Sequence, residues 1–403
     1  MRPTITDAVR RARLADRHRL LPHRATDDVP ALAESVLALH STDPVTVYLS
    51  AAARMASPSI EGVDQALYAE RNVLRHHAMR RTLWIATPPT LARMHATTTA
   101  VYAAAQHRRL LGMLADSGIT DGERWLTAAK ADLLDLLQTE GPMAARTLGQ
   151  RVPQLAHPLR LAVGKPYEGT QAAHTRVLLQ LGFEGAIVRT RPVGSWVSGQ
   201  YTWAAMDSWS PGALLGPDGA PPDPRQAARD LTRHWLRRFG PGTATDLQWY
   251  FGWTATVTRR ALADARAVEV DLDGIPGWLD AEDDLLDAAP PPETEPWVAV
   301  LPSLDPTTMG WKQRDWYLPA GAAEAFDRNG NAGATLWVDG RVVGCWTQAP
   351  DGELRTGWFE PVPARRRAQL QRRLDVVRDL LGDVRITVRF ASPAQRDLLA
   401  GTH

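Results

Sequence analysis

The stretch Ala31-Leu-Ala-Glu-Ser-Val-Leu-Ala-Leu-His-Ser-Thr-Asp-Pro44 organises the N-terminal part of this chain. Its apolar residues recur at helical spacing, which predicts a helix with one buried side over residues 31–40. The pair Asp43-Pro44 is typical of a helix N-cap followed by proline in the first turn. A second helix is therefore expected over residues 45–55, and a polar elbow separates the two helices.

Three side chains that can share protons occupy this elbow: His40, Ser41 and Thr42. A histidine that titrates near neutrality, beside a hydroxyl and the Asp43 carboxylate, can position and polarise a water molecule. The same residues also suit a tight turn, because the aspartate is first of all a helix cap. From spacing alone, a catalytic site and a structural turn are both compatible with the elbow.

Length and composition indicate a multidomain globular protein. The chain has 403 residues, of which 44% are hydrophobic and 23% are charged, and it is expected to form roughly two to four domains. No apolar run is long enough to span a bilayer, and no signal peptide is apparent. The single cysteine, Cys345, excludes an intramolecular disulfide and argues against a cysteine-based zinc site. These features predict a cytoplasmic protein.

The net charge of +1 conceals a strong segregation of charge along the chain. Residues 54–110 carry an excess of arginine, residues 264–295 are strongly acidic, and residues 361–390 are basic again. A basic track with an acidic back is typical of proteins that bind a phosphate backbone. The acidic run at residues 282–284 is predicted to be a solvated face. Because no phosphate-binding loop, zinc-protease motif or nucleophile elbow is present, neither a metal nor a cofactor is expected.

Residues 1–119 are predicted to be mostly helical, apart from one cationic strand. Residues 82–86 alternate as on a half-exposed strand that follows a basic segment. On such a strand Arg80, Arg81 and Trp84 would face a ligand. The alternative is a strand with a solvated cationic side.

The order of elements over residues 120–215 is typical of a winged helix. The predicted elements are helices at 121–140 and 175–181, a turn into a short helix at 141–151, and a hairpin at 185–203. A similar plan recurs over residues 225–287, where the motif at 240–247 repeats the motif at 141–148 at a coarse level. Two winged helices are therefore predicted, and a third is plausible within residues 1–119.

The hairpin of the first predicted winged helix carries a possible probe for nucleic acid. Arg189 and Arg191 are expected on one side of its first strand by alternation, and Trp196 lies in the connection. In a groove, the arginines would meet phosphates while the indole ring would stack on a base. The alternative is an ordinary wing with the tryptophan packed on its own helices.

Residues 297–403 are predicted to form a β-rich α+β region, which a Pro-rich linker at residues 288–296 separates from the rest. The predicted strands are residues 297–301, 334–338, 341–347, 354–359 and 384–390. One helix, at residues 364–381, crosses between the last two strands.

The elbow side chains are sufficient for one particular hydrolysis. A cationic, N7-alkylated purine is already a good leaving group, so breaking its N-glycosidic bond requires only a placed water and stabilisation of the cationic sugar. His40 with Thr42 and Asp43 can supply that help. Plain nucleic-acid binding without catalysis is the alternative.

Several motifs spread along the chain together resemble one protein family. They are Leu39-His-Ser-Thr-Asp-Pro44, Met79-Arg-Arg-Thr-Leu-Trp84, Gly240-Pro-Gly-Thr-Ala-Thr-Asp-Leu247, Leu301-Pro-Ser-Leu-Asp-Pro306 with Met309-Gly-Trp311, and Asn331-Ala-Gly-Ala-Thr-Leu-Trp-Val338. As a set they resemble the winged-helix DNA glycosylases of the AlkZ and YcaQ type over nearly the whole chain. The resemblance implies an α+β fold of three tandem winged helices, in a C-shaped molecule whose concave face holds duplex DNA.

The resemblance places the family's active site at the elbow, with one departure. The family has Gln, an intervening residue, and then Gln or Asp, whereas this chain has His40 at the first position and Thr42 at the second. The histidine can hold a water as glutamine would, but threonine lacks the two-ended hydrogen bonding of a carboxamide. The expected catalytic residues are His40, Thr42 and Asp43, and the expected DNA-binding residues are Ser41, Arg80, Arg81, Trp84, Arg189, Arg191 and Trp196.

The resemblance thus implies a monomeric, metal-independent DNA glycosylase that acts on alkylated bases in double-stranded DNA. Its expected substrates are N7-alkylated purines, including bulky guanine adducts of a DNA-alkylating antibiotic. A non-catalytic winged-helix DNA-binding protein, such as a transcription regulator, is the alternative, and would usually be a dimer reading a pseudo-palindrome. A protein that sequesters adducts is a third possibility.

Overall fold

The computed structural model describes residues 2–286, 295–389 and 391–401. The chain combines many helices with several small β-sheets, which confirms the mixed helix-and-sheet class. The linker predicted at residues 288–296 lies mostly outside the described residues. Among the helices that are described, none has both the length and the apolar character needed to cross a membrane.

The first 140 residues are largely helical. Their helices are α1 (Asp7–Arg17), α2 (Val29–Ser35), α3 (Pro44–Ala52), α4 (Ile60–Asp64), α5 (Pro88–Met94), α6 (Ala100–Asp116) and α7 (Gly122–Glu140). Their strands are β1 (Leu39–His40), β2 (Leu74–His77) and β3 (Leu83–Ala86). Single π-helical segments, Gln65–Glu70 and His95–Thr99, continue α4 and α5.

The middle of the chain alternates helices with hairpins. Its helices are α8 (Ala145–Arg151), α9 (His174–Glu184), α10 (Met206–Trp209), α11 (Pro224–Phe239), α12 (Ala244–Phe251) and α13 (Ala255–Asp264). Its strands are β4 (Met143–Ala144), β5 (Pro158–Leu161), β6 (Gly169–Ala172), β7 (Ile187–Pro192), β8 (Tyr201–Ala205), β9 (Val268–Leu272) and β10 (Ile275–Leu279).

The C-terminal part contains the largest sheet. Its elements are β11 (Val298–Leu301), β12 (Thr335–Val338), β13 (Arg341–Gln348), β14 (Leu354–Trp358), α14 (Ala364–Leu381) and α15 (Pro393–Ala400). The described chain divides into two compact units, and the first takes in Met1–Val73, Ile85–Thr87 and Ala228–His403. The second takes in Leu74–Trp84 and Pro88–Ala227.

The first unit is built on an antiparallel sheet in the order β11-β12-β13-β14, against which α14 and α15 pack. Aromatic rings fill much of its interior. Trp311 lies 5.3 Å from Phe239 of α11, and Tyr317 lies 5.3 Å from Trp337 of β12, measured between ring centroids. Burial of such large rings is a major source of stability, because each removes a large apolar area from water.

The second unit packs α6, α7, α8 and α9 around leucines, beside a three-stranded sheet in the order β4-β8-β7. The buried leucines at its centre include Leu110, Leu114, Leu126, Leu133 and Leu137. The Asp121 side chain caps α7, as the predicted helix start requires, and the hairpin predicted at residues 185–203 is formed by β7 and β8. The small β5–β6 hairpin between α8 and α9 was not predicted.

The helix predicted over residues 31–40 is wrong in its second half. Helix α2 ends at Ser35, Leu37 then takes a left-handed backbone conformation with φ of 65°, and Leu39–His40 is a short strand. Val36, Leu37 and Leu39 are all fully buried, so the run lacks the exposed side of an amphipathic helix. A short apolar run of this kind fits a buried turn and strand as well as a helix. The elbow therefore joins a strand to a helix.

Two further predictions are corrected by the first unit. Residues 384–389 are not assigned as a strand; their backbone is bonded by the side chain of Gln348 instead of by a neighbouring strand. The acidic run is not wholly solvated, because the Asp283 side chain is only 1% exposed. It accepts hydrogen bonds of 2.8 Å from Arg13 and 2.7 Å from Arg17 of α1, partners too distant in sequence to be inferred.

Candidate active site

The polar elbow lies where β1 passes into α3. His40 ends the strand and is 3% exposed, and its Nδ1 accepts a long hydrogen bond of 3.4 Å from the backbone N–H of Thr42. Ser41 is fully buried, while Thr42 is half-buried. The elbow is thus held largely inside the protein, with the threonine its most accessible member.

Asp43 is the N-cap of α3, as the sequence predicts. One carboxylate oxygen, Oδ1, accepts a 3.4 Å hydrogen bond from the backbone N–H of Val45, and the residue is 8% exposed. Burial raises the pKa of Asp43 above its ordinary value, against the opposing effects of the Arg389 charge and the Val45 hydrogen bond. A carboxylate that has lost part of its hydration interacts strongly with a nearby positive charge, because the local dielectric constant is low.

A cavity of about 20 Å³ lies beside Asp43 and the first turns of α3. Its walls are Asp43, Val45, Thr46, Leu49, Pro302, Ser303, Ala334, Trp346, Thr347, Ile386, Thr387, Val388 and Gln395. The Thr347 side chain is 1% exposed, and its Oγ1 has no hydrogen-bond partner within the described structure. That volume is enough for about one water molecule.

Hydrogen bonds and an ion pair hold helix α3 against the loop that follows β11. The Thr46 hydroxyl donates to the backbone carbonyl of Ser303 at 2.7 Å, and the Ser50 hydroxyl donates to the Asp305 carboxylate at 2.6 Å. Arg54, just after α3, donates to both oxygens of Asp305 at 2.9 Å, and both side chains are 0% exposed. The motif at residues 301–306 therefore determines where the capped end of α3 lies.

This buried network could not be inferred from the sequence, although the motif at residues 301–306 contributes Asp305 to it. The Arg54 charge and its hydrogen bonds outweigh the effect of burial and hold the pKa of Asp305 below its usual value. His18, the C-cap of α1, completes the network, with Nδ1 2.8 Å from the Thr307 hydroxyl, and burial lowers its pKa to about 3. No local pattern distinguishes such an aspartate or histidine from an exposed one.

The predicted cationic strand, β3, has a different geometry from the one expected. All four residues of β3 are buried, and Trp84 is 0% exposed, with its Nε1–H donating to the Thr82 hydroxyl at 2.8 Å. The prediction that Trp84 faces a ligand is therefore wrong. Arg80 and Arg81 lie in the turn between β2 and β3, where both take positive φ angles, of 54° and 63°. Arg80 is half-buried and Arg81 is exposed.

The two arginines of the β7–β8 hairpin, Arg189 and Arg191, differ in their exposure to solvent. Arg189 lies 4.8 Å from the ring centre of Trp203, is mostly buried, and has its pKa lowered to about 10 by that burial. Arg191 is exposed, because the pairing of β7 with β8 shifts register between residues 189 and 192. The prediction that both arginines meet phosphates is therefore supported by exposure for Arg191 and not for Arg189. Trp196, in the connecting loop, is half-buried.

Within the described residues, histidine, cysteine, aspartate and glutamate side chains form no group of three or more able to hold a metal ion. His76 and His95 of the second unit approach each other, with ring nitrogens 3.0 Å apart. Burial lowers the pKa of both, so each ring is neutral near pH 7.

A family model described as "DNA glycosylase AlkZ-like" matches residues 33–378. The chain belongs to this family. The resemblance inferred from the motifs is thereby confirmed, and the match begins just before the elbow and reaches into α14. The activity of the family is that of a DNA glycosylase, and its substrate is DNA.

The fold agrees with this assignment. The solved structure of the Streptomyces sahachiroi DNA glycosylase AlkZ is similar, with a TM-score of 0.70 over 96% of this chain and 99% of that chain. The two sequences are 20% identical, so the likeness concerns the fold. No curated protein sequence matches the chain significantly.

Proposed function

We propose that this AlkZ-like glycosylase hydrolyses the N-glycosidic bond of N7-alkylated purines in duplex DNA, including bulky guanine adducts of a DNA-alkylating antibiotic. The observation that carries the proposal is the burial of His40 and Asp43 at the junction of β1 and α3. Burial of an imidazole and a carboxylate costs free energy, which supports a role for these side chains beyond the capping of α3.

The proposed reaction requires little from the protein at the leaving group. The C1′–N9 bond breaks with its electron pair moving to the base, and the cationic N7-alkylated purine leaves as a neutral molecule. The oxygen of a water molecule forms the new bond to C1′. Because Nδ1 of His40 accepts from Thr42 N–H, the Nε2–H of the imidazole orients this water, and the water gives up its proton to the Asp43 carboxylate. Asp43 supplies negative charge for the cationic sugar in the transition state, which is the kind of electrostatic stabilisation that enzymes use most effectively.

Thr42 stands where the family carries a second amide or carboxylate. Its hydroxyl can donate one hydrogen bond and accept others, but it cannot reach as far as a carboxamide. We propose that it orients the attacking water together with His40, since it is the most accessible member of the elbow. A binding protein without catalysis is the second candidate, and this departure from the family pattern is the observation that favours it.

The proposal also covers the domain organisation, the oligomeric state and the DNA contacts of the protein. Residues 120–215 and 225–287 are proposed as winged helices, supported by the order α7, α8, α9 and the β7–β8 hairpin, and by α11, α12, α13 and the β9–β10 hairpin. Residues 1–119 are proposed as a third, and residues 297–403 as the β-rich region. We propose that the protein acts as a cytoplasmic monomer whose DNA contacts include Arg80, Arg81, Arg191 and Trp196; Ser41, which was also expected to contact DNA, is fully buried and is not among them.

The decisive experiment measures release of base from duplex DNA carrying N7-methylguanine or a bulky N7-guanine adduct, under single-turnover conditions. His40→Ala and Thr42→Ala are expected to lower excision at least about tenfold, or about 1.4 kcal/mol of activation free energy, with little change in duplex binding. Thr97→Ala is the matched control, because Thr97 is likewise a half-buried threonine and lies in the second unit, outside the elbow.

Three outcomes separate the candidates. Loss of excision in the elbow variants, with the control unchanged, supports the proposed mechanism. Equal excision by all variants removes the elbow from catalysis. Tight duplex binding by the wild type with no released base favours the binding protein. Asp43→Asn must be accompanied by a melting curve, because a damaged cap alone costs about 1 kcal/mol.

A further inference from the structure

Helix α9 has the chain position of a DNA-reading helix, but the rest of the second unit covers it. In the winged helix proposed for residues 120–215, α9 is the second helix of the helix-turn-helix and precedes the β7–β8 wing. A helix in that position ordinarily lies in the major groove and reads base edges with exposed side chains. Here α6, α7, α8 and β7 pack against α9, and six of its eleven residues are buried. Among its residues, all of which the structure describes, Thr175 alone is exposed.

Two polar contacts hold α9 in this covered position. The Gln180 side-chain amide donates to the backbone carbonyl of Ala103 in α6 at 3.2 Å, and Glu184 pairs with Lys130 of α7 at 2.5 Å. The helix has no second face that it could present to a groove without breaking the core of the unit. Contacts between this winged helix and DNA therefore have to come from another element.

The β5–β6 hairpin is the element that protrudes at this place. It is inserted between α8 and α9, where a helix-turn-helix usually has a short turn, and residues 163–170 are all exposed. Tyr167 is 75% exposed and Val163 is 40% exposed. Every other tryptophan, tyrosine and phenylalanine that the structure describes is buried or half-buried. The hairpin thus presents an aromatic ring to solvent where the others are withdrawn, and such a ring is suited to stacking on a base.

The tip of the hairpin, residues 162–168, is fixed by its own hydrogen bonds. The Lys165 N–H donates to the carbonyl of Ala162 at 2.9 Å, and the Glu168 N–H donates to the carbonyl of Lys165 at 3.0 Å. The Glu168 carboxylate accepts from Gly164 N–H at 2.8 Å and from Arg160 at 2.6 Å. A tip that is already ordered loses less conformational entropy on binding than a flexible loop does.

The charge of the hairpin is complementary to that of a phosphate backbone. Lys165 is exposed at the tip, two residues from Tyr167. The one carboxylate of the tip, that of Glu168, is neutralised by its ion pair with Arg160. Residues 157–176 as a whole carry three basic side chains against this single acidic one. A cation beside an exposed ring can meet a phosphate while the ring meets a base.

We propose that the tip of the β5–β6 hairpin is a DNA-contacting surface of the second unit and replaces the covered helix α9 in that role. The ring of Tyr167 stacks on a base that has left the helical stack, and the ammonium group of Lys165 contacts a neighbouring phosphate. The inference rests on the winged helix proposed for residues 120–215, but not on the proposed excision chemistry. Because every base has a stacking face and every nucleotide a phosphate, these contacts need no particular sequence.

Fluorescence anisotropy tests the role of the ring, with a labelled duplex that contains one extrahelical base beside a fully paired duplex of the same length. Wild type should bind the bulged duplex more tightly. Tyr167→Ala should weaken binding of the bulged duplex about fivefold or more, and Tyr167→Phe should retain wild-type affinity. Val101→Ala is the matched control, because Val101 is an exposed apolar residue of the same unit, on α6.

The salt dependence of binding tests the role of the lysine. Lys165→Ala should reduce the slope of log affinity against log salt by roughly one, whereas Tyr167→Ala should leave that slope unchanged. Lys312→Ala is the control for net charge, because Lys312 is an exposed lysine of the first unit. An unchanged slope in Lys165→Ala, or an equal change in Lys312→Ala, would refute the phosphate contact.

Photocrosslinking tests directly whether the hairpin lies at the DNA. The single cysteine, Cys345, is buried, so Thr170→Cys places an accessible thiol on β6, three residues from Tyr167. With a benzophenone maleimide on this thiol, illumination should crosslink the protein to the bulged duplex. Leu399→Cys, at an exposed position of α15 in the first unit, is the control and should crosslink much less.

The proposal is overturned if Tyr167→Ala binds the bulged duplex as wild type does, or if the label on β6 crosslinks no more than the control label. It is also overturned if Tyr167→Ala converts a dimer into a monomer in light scattering, because the tip would then join two copies of the chain. None of these readouts requires turnover. A wild-type protein that binds duplex but releases no base would defeat the proposed excision, while the hairpin could still be tested.

Discussion

Replacing Asp305 by asparagine is expected to destabilise the first unit by about 3–5 kcal/mol, the usual cost of leaving one partner of a buried ion pair uncompensated. Four donors surround this carboxylate: two N–H groups of Arg54 at 2.9 Å, the Ser50 hydroxyl at 2.6 Å and the backbone N–H of Thr307 at 2.9 Å. An asparagine amide accepts at one oxygen only. Its NH₂ group would therefore face donors, while the guanidinium remained buried with its charge unbalanced.

The magnitude can be built from these contacts. Each hydrogen bond to a charged group is worth about 1.5–3 kcal/mol, and at least one bond to Arg54 is lost in the variant. The unbalanced charge adds to this loss, because both side chains are 0% exposed and water cannot solvate the guanidinium. The exposed pair Arg378–Asp375 provides the control. Its atoms are 2.7 Å apart, but its side chains are 47% and 43% exposed, so Asp375→Asn should cost less than about 1 kcal/mol.

Urea unfolding followed by tryptophan fluorescence and circular dichroism measures both effects. The double variant Arg54→Met/Asp305→Leu should recover most of the loss, because apolar residues of similar volume often replace a buried ion pair at little cost. An Asp305→Asn variant within about 1 kcal/mol of wild type would refute the reasoning. Since the Asp305 pKa is held below its ordinary value of 3.8, its contribution should be complete above that pH and be lost only as the pH falls below it.

Two further predictions concern the second unit. Burial lowers the pKa of His77 to about 3, so the free energy of unfolding should fall as the pH drops below about 6.5. In urea titrations at pH 7 and pH 5, His77→Phe should reduce this pH dependence by up to about 1.4 kcal/mol per pH unit. An unchanged pH dependence in the variant would contradict this prediction. Arg81→Ala and Arg191→Ala should each weaken duplex binding for all sequences and reduce the salt slope by roughly one, whereas Trp84→Ala should lower the unfolding free energy by about 3–5 kcal/mol. Fluorescence anisotropy of labelled duplex at several salt concentrations measures the binding of the two arginine variants. An unchanged dependence of affinity on salt would show that these arginines do not contact phosphates.

Elements with strong local signals could be predicted from the sequence. The helix predicted at residues 364–381 has the bounds of α14, and the prediction of helix 121–140 differs from α7 only at its capping aspartate. Both helices carry regular apolar spacing, and the end of each is marked by a turn residue, Gly382 and Gly141. The β9–β10 hairpin was also close to its predicted limits, because the Asp273-Gly274 turn separates two runs of strand formers.

What could not be predicted depends on partners distant in the sequence. Asp283 reads as part of a solvated acidic run, yet its buried carboxylate pairs with arginines of α1. Trp84 reads as half-exposed by alternation, yet both faces of β3 are covered. The alternation of a strand reports exposure only where one face meets water, and no single sequence reveals which faces are covered.

In the elbow, one property could be predicted from the sequence and another could not, and the second affects how the threonine at position 42 is interpreted. Its residues are adjacent in sequence, so their proximity follows directly, but their burial depends on the loop at residues 301–306 and on the segment at residues 384–389. A carboxylate in such surroundings stabilises a positive charge more strongly than it would in water. Where the base leaves as a neutral molecule, that charge on the sugar is the main demand of the reaction. A threonine in place of the second amide is then compatible with turnover for cationic, alkylated purines, and least compatible with uncharged bases that need protonation to leave.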